Sequence, residues 1–207
     1  MEFGDGHRAA LTDVLTWRRD IRYFRTDPVC EATLARLQAA MDLAPSVGNA
    51  RPWRVLRVDC PHLRAEVRRN FNAANARAGA QYAGMQAERY RGLKLAGLDR
   101  APVQLAVFTE MAPRAGHGLG RQTMPETLRQ STAMAIHTLW LAARAENLGL
   151  GMVSILDPEA LRPHLKVPPG WEFAAYLCLG HPERTDDTPL LHRAGWQENT
   201  PTRWQRV

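Results

Sequence analysis

The sequence predicts a single domain in which helices and strands alternate, and three observations support this. After Pro125 no Pro or Gly interrupts the chain until Gly149, and apolar residues recur there at helical spacing. Runs starting near Trp53, Ala101, Leu148 and Trp171 read as strands scattered between helical stretches. No internal repeat or linker divides the 207 residues, a length that buries a sizeable core.

The long helix is the spine of this reading. Thr123 with Glu126 reads as a capping box, Pro125 falls in the first turn, and Asn147 with Gly149 ends the helix. Leu128, Met134 or Ala135, Leu139 and Ala142 or Ala143 recur at helical spacing, and Ile136, Trp140 and Leu141 widen the apolar sector. A helix apolar over most of its circumference is expected at a domain centre or a subunit interface. The next run, L-G-L-G-M-V-S-I-L, reads as a buried strand with the polar Ser154 inside it.

Upstream, residues 7–17 read as a short amphipathic helix and residues 31–43 as a second one. Between 44 and 53, Pro45, Gly48 and Pro52 force a loop in which Ser46 and Asn49 offer neutral hydrogen-bonding groups. Trp53 opens an alternating strand. From Pro61 to Arg100 a helical stretch of low apolar content is broken at Gly79, Gly84, Gly92 and Gly97, a pattern suited to a lid at about 75–98 or to a surface helix. The run from Ala101 to Glu110 is apolar enough to be buried on both faces. Residues 111–121 are a glycine-rich loop without a dinucleotide fingerprint. Asp157 then caps a short helix with Pro158 at its first position, residues 171–180 form the last strand, and a polar tail runs from about 181 to 207.

Composition narrows the function. A net charge of +6 suits an anionic ligand such as a phosphate ester. The arginines form no basic run with interleaved aromatics, which argues against nucleic acid. Cys30, Cys60 and Cys178 are few, scattered and odd in number, as expected of a reducing cytoplasm, and no Cys/His spacing resembles a metal site. The residues from Met1 to Arg8 contain no apolar run, so neither a signal peptide nor an anchor is expected, and charges interrupt the spine too often for a membrane span.

The densest chemistry lies in R-R-D-I-R-Y-F, residues 18–24. Arg18, Arg19 and Arg22 within five residues form a candidate phosphate clamp, because guanidinium forks match phosphate oxygens. A solvated cluster of internal ion pairs is the alternative. In an extended segment Arg18, Asp20 and Arg22 would point one way and Arg19 and Ile21 the other.

Six stretches, R-R-D-I-R-Y-F, A-P-S-V-G-N-x-x-P-W, Y-R-G-L-K-L-A-G-L, L-G-R-Q-T-M-P-E-T, L-W-L-A-A-R-A-E-N-L-G-L-G-M-V-S-I-L and A-Y-L-C-L-G, occur in an order that resembles the 5,6-dimethylbenzimidazole synthases. These are the flavin-fragmenting branch of the nitroreductase-fold flavoproteins. The resemblance implies an α+β fold, with a central, mainly antiparallel sheet flanked by helices. It implies a homodimer through the spine helix, with FMN at the interface. It also implies oxygen-dependent fragmentation of reduced FMN, supplied by a separate NAD(P)H-flavin reductase, with no metal. Arg18, Arg19, Ile21 and Arg22 would hold the phosphate and ribityl end. Ser46 and Asn49 would lie near the flavin, Leu93 would cover its ring, and Gly151 and Met152 would meet the ring edge. Asp20 stands where the broader family usually carries Ser, and together with Ser154 it marks the branch; these two are the candidate catalytic residues. Arg51, where Gln is usual, and Met152, where a bulkier aromatic can occur, depart from the pattern. The other enzyme class weighed is an NAD(P)H-dependent nitroreductase that keeps its FMN intact in an open cleft.

Overall fold

A computed structural model describes residues 1–207. The helices are α1 (Asp5–Trp17), α2 (Glu31–Met41), α3 (Pro61–Gly79), α4 (Gly84–Gly92), α5 (Thr127–Ala145), α6 (Pro158–Leu165) and α7 (Leu190–Arg193). The strands are β1 (Trp53–Arg57), β2 (Val103–Glu110), β3 (Gly149–Val153) and β4 (Trp171–Gly180). They form one sheet in the order β1-β2-β4-β3, and every pairing is antiparallel. No helix is long and apolar enough to cross a membrane.

The two central strands explain their own sequence. Val103 and Val107 of β2 and Ala175, Leu177 and Leu179 of β4 point to one face, where they pack with Leu37 and Met41 of α2 and Ala135, Leu139 and Ala143 of α5. Ala106, Phe108, Tyr176 and Cys178 point to the other, against Val67 of α3, Leu161 of α6 and the 96–101 segment. A strand covered on both sides needs apolar residues at both phases of its alternation, so the near-continuous run from Ala101 is buried as expected. The second face also holds a buried polar chain. Tyr176 donates to Gln104 at 2.8 Å, and Gln104 donates to the Leu98 carbonyl at 2.9 Å, fixing the root of the 84–98 segment to the sheet. Burial pushes the Tyr176 phenol above its ordinary value.

Local signals placed several boundaries well. α3 ends at Gly79, and α4 runs from Gly84 to Gly92. Asp157 caps α6 by accepting from the Ala160 amide, with Pro158 in the first turn. Two expectations are corrected. α2 stops at Met41, two residues short of the expected end. The Thr123–Glu126 capping box does not form: the Thr123 hydroxyl donates to the Gly120 carbonyl, and α5 starts at Thr127 after a turn closed by the Met124 amide on the same carbonyl. The turn that follows the glycine-rich loop uses the groups a cap would need. Within one chain α5 buries one face, through Leu128, Ser131, Thr132, Ala135, Ile136, Leu139 and Ala143, while Met134 and His137 face outward and Trp140 is half-buried.

Candidate active site

Residues 18–24 lie along β3. The Ile21 amide donates to the Leu150 carbonyl at 3.1 Å, and Asp20 forms a parallel bridge with Leu150. The approach requires glycine: a Cβ on Gly151 would sit 2.0 Å from the Ile21 carbonyl oxygen, and one on Gly149 would sit 2.7 Å from the Ile21 side chain. Downstream, Phe24 is fully buried and bridges to Pro182, and a Cβ on Gly97 would meet its ring at 2.4 Å. The segment is therefore held by backbone on one side and by the root of the 84–98 segment on the other.

Ser154 falls one residue beyond β3, not inside it as expected; it is exposed, and its hydroxyl has no hydrogen-bond partner in the chain. The last pair of β3 with β4 is Val153 with Tyr176. Met152, also exposed, is tied to Asp20: its amide donates to Asp20 Oδ1 at 2.9 Å. Asp20 Oδ2 accepts from Arg22 Nε at 2.9 Å and lies 2.7 Å from Arg22 Nη2. Both carboxylate oxygens are thus engaged, at the end of the strand where Ser154 emerges. Behind it, burial pushes the Cys178 thiol up to about 12, so it stays protonated and takes no part in proton exchange near neutral pH.

The three arginines do not converge on one point within the chain. The Arg18 guanidinium lies 5.1 Å from the Trp140 ring centre, and its Nε is buried without a hydrogen-bond partner. Trp140 in turn donates to the Arg19 carbonyl at 3.3 Å, so α5 orders this segment through one indole. Arg19 donates to the Thr16 and Leu15 carbonyls at the C-terminal end of α1. Its pKa is lowered, first by burial and then by the neighbouring Arg18 charge. Arg22 and Asp20 share a side as alternation predicts, and Arg22 Nη1 reaches the Lys94 carbonyl at 2.9 Å.

Sequence reasoning missed the tail's contribution. Arg184, Asp186, Thr188 and Arg193 line a small pit together with Arg19 and Arg22. Arg184 stacks 4.4 Å from the Tyr23 ring, and Arg193 pairs with Asp186 at 2.6 Å. The signal was the recurrence of Arg and Asp between 184 and 193, which a polar tail masks.

Ser46 and Asn49 sit in the predicted loop. Ser46 Oγ accepts from the Arg51 amide at 3.1 Å, and the Val47 amide donates to Ser131 Oγ of α5 at 3.0 Å. Asn49 is exposed with φ 54°, a left-handed conformation that Asn tolerates better than most residues. No hydrogen bond joins this loop to residues 18–24 within one chain. Leu93 follows α4 in extended conformation and lines a cleft of about 360 Å³ with Tyr90, Leu95, Asn75 and Gly79. Tyr90 donates to Asn75 at 2.6 Å, and Tyr82 and Tyr90 pack on Trp196 of the tail with ring centres 5.3 and 6.1 Å away.

Comparison with known proteins places this geometry. The profile of the Nitroreductase family matches residues 15–181. A 5,6-dimethylbenzimidazole synthase of Rhodobacter capsulatus is 70% identical over 206 residues, covering 100% of both chains. One from Rhodospirillum rubrum is 51% identical over 199 residues, covering 96% of this chain and 94% of its own. Among solved structures, an oxidized iodotyrosine deiodinase bound to FMN and 3-iodo-L-tyrosine superposes with a TM-score of 0.75 at 22% identity, covering 95% of this chain and 100% of its own. The α+β architecture is accordingly the nitroreductase fold, and the full-length relatives select the synthase over the intact-flavin nitroreductase weighed from sequence. The chain belongs to the nitroreductase family, and within it to the 5,6-dimethylbenzimidazole synthases.

Proposed function

We propose that this synthase takes reduced FMN as its substrate and dioxygen as co-substrate, releasing 5,6-dimethylbenzimidazole and erythrose 4-phosphate. The observation that carries the reading is the Asp20 carboxylate, held at the end of β3 by the Met152 amide and Arg22, where Ser154 is exposed. The residues fit a phosphorylated, planar ligand: Arg18 keeps a buried Nε without a partner, and Leu93 and Met152 present apolar surface. Arg18 and Arg19 take the phosphate, with Ile21 and Arg22 at the ribityl end. Ser46, Asn49, Leu93, Gly151 and Met152 surround the ring. The flavin, when bound, supplies the electrons that oxygen accepts. The chain's part is to orient it, exclude water and move protons, with Asp20 as acceptor and Ser154 as a hydroxyl relay.

A homodimer completes the site in this reading. Support comes from the outward Met134 on α5, and from α1, which buries no residue and exposes Leu11, Leu15 and Trp17. We place the reaction in the cytoplasm, with a separate NAD(P)H-flavin reductase supplying reduced FMN. The test is to incubate purified protein with FMN, a flavin reductase, NADH and air. Benzimidazole should form only with both reductant and oxygen present. Oxidation of NADH by the protein alone, with all flavin recovered intact, would overturn the reading.

A further inference from the structure

We propose that Arg22 is a positioning residue that couples the seating of the 84–98 segment to the orientation of the Asp20 carboxylate. The proposal rests on the reading of Asp20 as proton acceptor and assigns Arg22 a task beyond anion binding.

The guanidinium has two working edges. Nε and Nη2 face Asp20 Oδ2, at 2.9 and 2.7 Å, while Nη1 donates 2.9 Å to the Lys94 carbonyl, two residues beyond α4. The planar fork cannot turn toward one partner without leaving the other. Its side chain is only 14% exposed, and that of Asp20 29%, so water competes weakly for these bonds. Asp20 is anchored independently of Arg22 on one oxygen only, through the Met152 amide. The second oxygen is oriented by Arg22, and Arg22 is oriented by the carbonyl of Lys94.

The location of that carbonyl gives the coupling its direction. Lys94 lies between α4, in which only Tyr90 is buried, and the firmly held root where Gln104 binds the Leu98 carbonyl. Displacement of α4 pulls on residues 93–95 first, because Ala96, Gly97 and Leu98 are packed into the core beside Phe24. When the segment lifts, the Lys94 carbonyl leaves, and the Asp20 carboxylate loses its fixed donor geometry. Asp20 is thus correctly presented only under a seated cover, which ties chemistry to the exclusion of water.

The test uses Arg22→Lys, which keeps the charge but not the fork, with Arg22→Gln as a second variant should the first fail to fold. Amide hydrogen exchange of residues 84–98 in the flavin-free protein reads the seating. The share of bound reduced FMN converted to benzimidazole, against the share returned as oxidised FMN at saturating flavin, reads the chemistry. We expect exchange to rise about tenfold, as for loss of one charge-assisted hydrogen bond, and the product share to fall at least as far. Asp20→Asn, whose single acceptor oxygen can serve Arg22 or the Met152 amide but not both, should lose product while exchange of 84–98 rises less than in the Arg22 variants, because the Arg22–Lys94 bond is retained. Unchanged exchange in both Arg22 variants overturns the coupling, as does faster exchange with an undiminished product share. A full product share from Asp20→Asn would instead overturn the acceptor role of Asp20, while the exchange result would still report on Arg22.

Discussion

Residues 18–24 and the 84–98 segment meet at the candidate site, where Arg22 bonds the Lys94 carbonyl, and they are held in different ways. The first is joined to β3 by a backbone hydrogen bond, fits against glycines that admit no side chain, and ends in the fully buried Phe24. In the second, residues 96–98 are packed into the core and tied to Gln104, while 84–95 rests on the Tyr90–Asn75 hydrogen bond, the contact of Tyr90 with Trp196, the Arg22–Lys94 bond and one bond from Arg89 to the Gly195 carbonyl at 3.0 Å. Local opening free energy follows buried contact, so residues 84–95 should open at lower cost than residues 18–24. Asp20, the assigned proton acceptor, sits on the more firmly held wall. Leu93, assigned to covering, sits on the wall with more exposed residues.

The contrast is broken most severely at Asp20. Asp20→Asn should leave flavin binding close to the parent's and cut benzimidazole formation by about two to four decades, read as product yield by chromatography. Ser154→Ala should also bind flavin and make little product, and a normal yield from either would remove that residue from the chemistry.

Arg18→Ala tests the anion side of the rigid wall. It should weaken FMN by about one to two decades while riboflavin, which lacks the phosphate, changes little. Equal losses for both ligands would assign Arg18 to the fold through its stacking on Trp140.

Gly151→Ala tests the close approach itself. The added methyl would meet the Ile21 carbonyl at 2.0 Å, so residues 18–24 must move off β3. The expected cost is about 1–3 kcal/mol, as for overpacking, measured by urea unfolding, with product formation lost in parallel. Wild-type stability and activity would mean that the two backbones are not packed this tightly.

The smallest effect should come from the less buried wall. Trp196→Ala removes an aromatic contact worth about 0.5–1.5 kcal/mol. It should speed amide exchange in 84–98 a few-fold while leaving exchange at Ile21 unchanged. A matching rise at Ile21 would mean that the two walls open together.

How much of this could be read from the sequence depends on the range of each interaction. Glycine breaks at Gly79, Gly84 and Gly92 coincide with helix ends, and the Asp157 cap and doubly buried β2 follow from patterns a few residues long. Contacts between distant segments left no such trace. The stacking of Arg18 on Trp140, the tail arginines beside Arg19 and the seat of Trp196 on Tyr82 and Tyr90 each join residues more than a hundred positions apart. The missing capping box shows the limit even for a short motif. Its residues have the right spacing, but the carbonyl of Gly120 takes the Thr123 hydroxyl first.

The two glycines of L-G-L-G-M, Gly149 and Gly151, carry a lesson for how such spacing is interpreted. A glycine pair two residues apart beside a strand invites comparison with loops that wrap a nucleotide's phosphates. Here the pair forms a slot in the sheet edge, and what enters it is the protein's own main chain from about 130 residues upstream. Slot and insert are one device written in two places, so exchange of either segment between relatives should fail unless the other travels with it.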